Sequence, residues 1–338
     1  MRSDLSLAAA PNEGGGLRPD TVRIVSASGG GVLETKALAD VRAALAGPKG
    51  FLWLDLAEPS PETLSEVTDI LGLHPLIADD IRERNERAKI VEIANVLHIV
   101  LFALRYAGEA DASEIDIVLG EHFILTAHDT DWDPYVAPLL RSGPAQLLEH
   151  GPDKLLYALA DFIIDGYFPV LDRLADEIDQ LQDDVVERAS QWTLQRLFVL
   201  KRELIRIRRA TSPAREVFNQ LTNRDIGLIR RDHVVYFRDV YDHLIRVTDE
   251  LDNYRELVSG TLDVYLSTVN NNLSLIMKRL TGVTVLLAGI GAVAGIFGMS
   301  EAGAAFQGAE SAGFWLVSAF TVGLAVAAAI MLRRIDWI

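Results

Sequence analysis

The chain has 338 residues, with 48 Asp and Glu against 32 Lys and Arg, a net charge of −16, no cysteine and seven histidines. The lack of thiols excludes disulfides, thiolate metal sites and thiol catalysis, and so acidic a chain does not suit nucleic acid or anionic lipid but does suit attraction of cations. Residues 1–279 carry −15 of that charge, because from Leu280 onward only Glu301, Glu310 and Asp336 stand against Arg333 and Arg334.

Residues 1–20 contain Met1-Arg2-Ser3-Asp4 and the run Asn12-Glu13-Gly14-Gly15-Gly16. They lack the continuous apolar core of a signal peptide and are read as a disordered tail. Residues 21–150 form a cytoplasmic α/β domain, with β-type runs at 21–25, 51–56, 89–94, 96–105, 115–119 and 122–127 and helical stretches between them. One helix is punctuated clearly: Ser60-Pro61-Glu62 supplies a cap, a first-turn proline and an acid ahead of Leu64, Val67 and Leu71, and Gly72 ends it.

From residue 151 to 279 the period becomes helical, giving a cytoplasmic stalk. Apolar residues recur at Leu171, Leu174, Ile178, Leu181 and Val185, then at Leu197, Leu200, Leu204 and Ile207. The alternation of three and four returns at Phe237, Val240, Leu244, Val247, Leu251, Tyr254 and Val258, the signature of a seam between packed helices. No proline follows Pro213, so the pattern from Asp232 to Met299 predicts one helix of about 68 residues, roughly 100 Å long.

Residues 280–338 predict two membrane spans. The stretches 280–299 and 313–332 carry neither charge nor proline, and each is about 30 Å long as a helix, the thickness of a bilayer's hydrocarbon core. Lys278-Arg279 and Arg333-Arg334 flank the pair, while the loop 300–312 carries only Glu301 and Glu310, so both termini are expected in the cytoplasm. Phe314 and Trp315 at the outer end and Trp337 at the inner end sit where amphipathic rings favour the headgroups.

No phosphate-binding loop, dinucleotide glycine fingerprint, nucleophile elbow or paired helical histidines are present, so the sequence is read as a non-enzyme. The first span instead bears a small-residue face of Ala288, Gly291, Ala292 and Gly295 before Gly298-Met299-Ser300. Small residues at spacing four permit close backbone approach in lipid, which predicts packing of this helix against copies of itself.

The segment 280–300 resembles the pore helix of the CorA family of magnesium and divalent-cation channels, whose first span ends in Gly-Met-Asn; this chain has Gly298-Met299-Ser300. The resemblance covers most of the chain. It runs in order through His74-Pro75-Leu76 with Asp79-Asp80, Gly120-Glu121-His122, Leu155-Leu156-Tyr157-Ala158, Tyr167-Phe168 and Lys201-Arg202. It continues through the segment from Tyr236 to His243, Tyr254-Arg255-Glu256-Leu257-Val258-Ser259-Gly260, Asp263-Val264-Tyr265-Leu266-Ser267, Met277-Lys278 and the basic-Trp ending.

The resemblance implies a funnel-shaped homopentamer in the cell inner (plasma) membrane, with an α+β cytoplasmic domain, long stalk helices and a two-helix transmembrane hairpin. The first spans, 280–299, would line one pore and the second spans, 313–332, would lie outside. Gly298, Met299 and Ser300 would form the outer selectivity mouth, where carbonyls and neutral oxygens contact the hydration shell that magnesium gives up reluctantly. Ser300 replaces the amide of Asn with a shorter hydroxyl that both donates and accepts. Glu301 would concentrate cations at the entrance.

Ser274, Met277 and Gly291 fall on the implied pore-lining face, with Met277 as an apolar, dewetting gate and Asn270, Asn271 and Asn272 offering polar groups near its cytoplasmic end. Regulation is implied by a cytoplasmic metal ion between subunits, held by acids matching Asp80 and Asp239 with Asp79 and His243 nearby. Without a bridging ion those carboxylates repel and favour opening.

The expected function is therefore passive, potential-driven movement of Mg²⁺, with Co²⁺ and Ni²⁺ as further candidate ions. Mg²⁺ is both transported and regulatory ion, and neither a catalytic cofactor nor ATP is required. Two charges moving inward across 100 mV contribute about 4.6 kcal/mol. The alternatives are a zinc-transporting member of the same superfamily and a non-conducting, membrane-anchored metal sensor or scaffold.

Overall fold

The computed structural model describes residues 20–27, 32–34, 41–42, 50–85, 87–141, 143–298 and 312–334. The expected tail, the loop after the first span, and Met299, Ser300 and Glu301 lie outside the described residues.

The chain divides into two units, the first comprising residues 1–181 and 195–259 and the second residues 182–194 and 260–338. The first unit is built on a seven-stranded sheet. Its strands are β1 (Thr21–Ser26), β2 (Val32–Glu34), β3 (Leu52–Ala57), β4 (Lys89–Ile93), β5 (Val96–Tyr106), β6 (Ala110–Leu119) and β7 (Phe123–His128). They lie in the order β2-β1-β3-β7-β6-β5-β4, and β3–β7 is the parallel pair while the other neighbours run antiparallel. Every residue of β3 is buried, as expected of a strand covered on both faces.

Helices α1 (Pro61–Leu71) and α2 (Pro75–Glu83) cover one face. Leu64, Val67, Ile77 and Ile81 join Leu52, Leu54, Leu56, Val118 and Leu125 in one buried core. The predicted punctuation holds: the Ser60 hydroxyl accepts from Thr63 N, and Gly72 ends α1 in the left-handed region at φ 63°. The same device starts α2, where His74 Nδ1 accepts from Leu76 N and Pro75 occupies the first turn. This cap decides where Asp79 and Asp80 fall on the helix.

After a short helix α3 (Pro144–Glu149), α4 (Pro152–Asp165) packs on β5, β6 and β7. It leads into α5 (Tyr167–Glu187) and α6 (Gln191–Asn223). Helix α7 runs from Val234 to Gly298, 65 residues, close to the predicted length. Every residue of the three predicted seams is buried. Tyr167 Oη donates to Phe102 O at 2.7 Å in the interior and ties the start of α5 to β5.

In the second unit α7 changes character. After Tyr265 its side chains are largely exposed, including Leu273, Ile276, Met277, Leu280, Val285, Leu287 and Ile296. This is the described helix long and apolar enough to cross a membrane. An exposed apolar surface of this length is unstable in water and fits lipid or further protein. Helix α8 (Ala312–Arg334) carries no charge until Arg333, and it forms with α7 an apolar cleft of about 330 Å³ lined by Leu286, Gly289, Ile290, Leu324, Ala325 and Ala328.

Candidate metal centre and conduction helix

Two acids of α4 and one histidine of α7 converge because the start of α7 is locked onto the start of α4. Asp153 Oδ2 accepts from Arg230 N at 3.0 Å and lies 2.7 Å from His233 Nδ1, with both side chains in the interior. That anchor fixes the register of α7 on α4. Leu155 and Leu159 of α4 and Phe237, Val240 and Leu244 of α7 are then buried, and the polar edges of both helices meet.

At that edge Asp161, Asp165 and His243 each offer a ligand atom, and the three atoms lie within 4.8 Å of one another. His243 Nδ1 stands 3.5 Å from Asp165 Oδ1 and is a buried nitrogen with no hydrogen-bond partner among the described residues. Phe168 backs the imidazole edge to face, with ring centroids 5.6 Å apart. Burial, followed by the charges of Asp165 and Asp239, pushes the Asp161 carboxyl up to about 6 against the relief from His243 and Lys154. The neighbouring Tyr157 hydroxyl is pushed up to about 12 by burial and then by Asp161, Asp239 and Asp165.

Like charges are thus concentrated with too few compensating cations, which is the electrostatic condition a bound cation relieves. Carboxylate oxygens fit hard Mg²⁺, and an imidazole adds affinity for Co²⁺ and Ni²⁺. The residues fit a divalent ion.

Of the residues predicted to sense metal, Asp239 and His243 fall here, one turn apart on α7. Asp79 and Asp80 do not join this group within the chain. They lie on α2, where Asp79 Oδ1 pairs with Arg82 Nη2 at 2.5 Å and Asp80 Oδ2 with Lys89 Nζ at 2.6 Å. Asp161 and Asp165 were not singled out from the sequence. The available signal was two acids four apart in the otherwise apolar run from Leu155 to Asp165, which places both on one helix edge.

Farther along α7, Ser274, Met277 and Gly291 are all exposed. Met277, Gly291 and Gly298, together with Thr284, recur every seven residues and so share one stripe of the helix. Thr284 Oγ1 donates to Leu280 O at 2.8 Å, which satisfies the hydroxyl within its own helix. Ser274 lies beside this stripe, one turn back from Met277.

Over residues 48–334 the sequence matches the family described as CorA-like Mg²⁺ transporter protein. The cobalt/magnesium transport protein CorA of Thermotoga maritima is 35% identical over 244 residues, covering 71% of this chain and 70% of that protein. The chain belongs to the CorA family of divalent-cation transporters. The structure of the CorA magnesium transporter from Methanocaldococcus jannaschii shares the fold with a TM-score of 0.68 at 24% identity, covering 85% of this chain and 92% of that one. Full-length CmaX does so with a TM-score of 0.69 at 22% identity over 95% and 99% of the two chains.

Proposed function

We propose that the protein is a homopentameric channel that passes Mg²⁺ down its electrochemical gradient and that cytoplasmic divalent metal holds closed. The observation that carries this reading is α7 itself. One uninterrupted helix bears Asp239 and His243 near its start, His243 as a member of the Asp161–Asp165–His243 group, and an exposed apolar surface with the Met277–Thr284–Gly291–Gly298 stripe near its end. Five copies of that helix around an axis would bury the stripe, and the remaining apolar surface would face α8 and lipid.

In this reading α7 and α8 cross the inner membrane as a hairpin with both termini in the cytoplasm. Gly298, Met299 and Ser300 form the outer mouth, Glu301 attracts cations to it, and Met277 forms the constriction. Glycine at positions 291 and 298 exposes backbone and leaves room for a hydrated ion. Asp79 and Asp80 of one subunit approach Asp239 of the next, and a cation among these acids and the Asp161–Asp165–His243 group offsets their repulsion. Loss of that ion favours separation and opening.

The test is flux into proteoliposomes of the purified full chain under an inside-negative potential, comparing Mg²⁺, Co²⁺ and Zn²⁺. Potential-driven Mg²⁺ uptake that falls as the cytoplasmic-side Mg²⁺ rises is expected. Zinc-preferring uptake would replace magnesium by zinc as cargo, and no uptake by a well-folded oligomer would leave a sensor or scaffold.

A further inference from the structure

Asp80 sits above a feature that the regulatory reading does not use. The register of the sheet puts Lys89 opposite Val100, Val100 opposite Asp116, Val91 opposite His98 and His98 opposite Val118, so Lys89, His98 and Asp116 share one face. That face also carries Val118, part of the core beneath α2, and Asp80 projects from α2 onto it. His98 is fully buried. Its Nε2 lies 2.7 Å from Asp116 Oδ1, a carboxylate that accepts the ring proton and is itself nearly inaccessible. In the tautomer that donates from Nε2 to Asp116, Nδ1 carries the lone pair that a metal would take. Nδ1 has no hydrogen-bond partner among the described residues and points toward Asp80 Oδ2 at 3.7 Å.

We infer that Asp80 Oδ2 and His98 Nδ1 are two ligands of a site for a borderline transition-metal dication such as Co²⁺, with Lys89 as the tethered cation that occupies Asp80 until the metal displaces it. This rests on the reading of Asp80 as a regulatory metal ligand and assigns that site a preference. A metal about 2.1 Å from each ligand atom bridges a separation of this size, leaving its other positions to water or a second subunit. A carboxylate on the far nitrogen of a histidine fixes the tautomer and raises the basicity of the ligating one, the arrangement Asp116 supplies. Magnesium gains little from an imidazole, whereas cobalt and nickel gain much. Lys89 marks Asp80 as a position where positive charge is accommodated: its Nζ is 2.6 Å from the same oxygen, and the pair is less exposed than Asp79–Arg82.

The test measures the metal-dependent rise in unfolding temperature of the detergent-solubilised full chain in an H243A background, so that the α4–α7 cluster contributes no imidazole. The expected half-saturating Co²⁺ lies at least tenfold below that for Mg²⁺. H98F should raise the Co²⁺ midpoint about tenfold and leave the Mg²⁺ midpoint within twofold. K89M should lower both by roughly tenfold, the size of a divalent–monovalent repulsion across about 5 Å of water-like dielectric, while K89R stays near the parent. If H98F strands Asp116 and the chain misfolds, H98F/D116A removes both members of the buried pair and is read by the same criterion. A Co²⁺ midpoint unmoved by loss of His98, with D80A still abolishing the metal response, would overturn this inference alone. A metal response unmoved by D80A would overturn the regulatory reading of Asp80 and this inference with it.

Discussion

Asp55→Asn tests the polar network on the sheet face opposite α1 and α2. Asp55 is fully buried, and its carboxylate takes Arg23 Nη2 at 2.6 Å, Thr126 Oγ1 at 2.5 Å and His128 Nε2 at 3.0 Å. His128 Nδ1 points at Asp129 O, 2.7 Å away, so both ring nitrogens face acceptors and the ring is a doubly donating cation. Asp129 in turn pairs with Arg84, the residue that caps the C-terminus of α2.

Removing the charge of Asp55 leaves the interior His128 without its counter-ion and Arg23 with Asp133 alone, 3.0 Å away, which costs about 3–5 kcal/mol. For a soluble unit of this size that lowers the unfolding midpoint by about 10 °C. Burial works against both charges, yet His128, Arg23 and Thr126 hold Asp55 below its ordinary 3.8, and Asp55 raises His128 above its ordinary 6.5. The Asp55 contribution is complete above 3.8 and is lost as pH falls through its lower folded value. That of His128 is complete below 6.5 and is lost as pH rises through its higher folded value. Thermal unfolding of the full chain followed by circular dichroism from pH 3 to 9 reads both limbs. An Asp55→Asn variant that unfolds within about 1 kcal/mol of the parent, with the same pH profile, would refute this account of the network.

Asp161→Asn should raise the Mg²⁺ concentration that half-protects the first unit from protease by roughly tenfold, the effect of losing one charged ligand. An unchanged midpoint would remove Asp161 from the metal centre. Met277→Gly should increase Mg²⁺ flux under low-metal conditions by opening an apolar constriction, and an unaltered flux would place the gate elsewhere. Ser300→Asn should preserve or increase Mg²⁺ flux, whereas its loss would mean that the outer mouth works by different chemistry. Gly291→Leu should block conduction without lowering the amount of folded oligomer, as read by flux and size-exclusion chromatography together.

The elements were legible wherever a local rule sufficed. The runs at 21–25, 51–56, 89–94 and 96–105 emerge as β1, β3, β4 and β5 within a residue or so, because alternation and β-branched content report burial on a sheet. Two features escaped that reading. Val32–Glu34 is too short to show a period, and β6 begins at Ala110 rather than near Ile115, because Asp111, Ser113 and Glu114 look like turn residues although β5 pairs with all of them. The seam positions were correct to the residue, since helical periodicity is a property of the sequence alone.

The sequence by itself determined the charge, the helical seams, the uninterrupted α7 with its apolar end, and the motifs that place the chain in its family. Each depends on residue type and spacing along one element. Tertiary structure decided which charged residues share a site. Asp161 and Asp165 meet His243, far away in the chain, only because Asp153 sets the register of α7 on α4, and His98 lies beneath Asp80 only because β5 and β4 pair as they do. Such meetings depend on strand register and helix docking, which are fixed by burial across the whole unit and leave no periodic trace in the sequence.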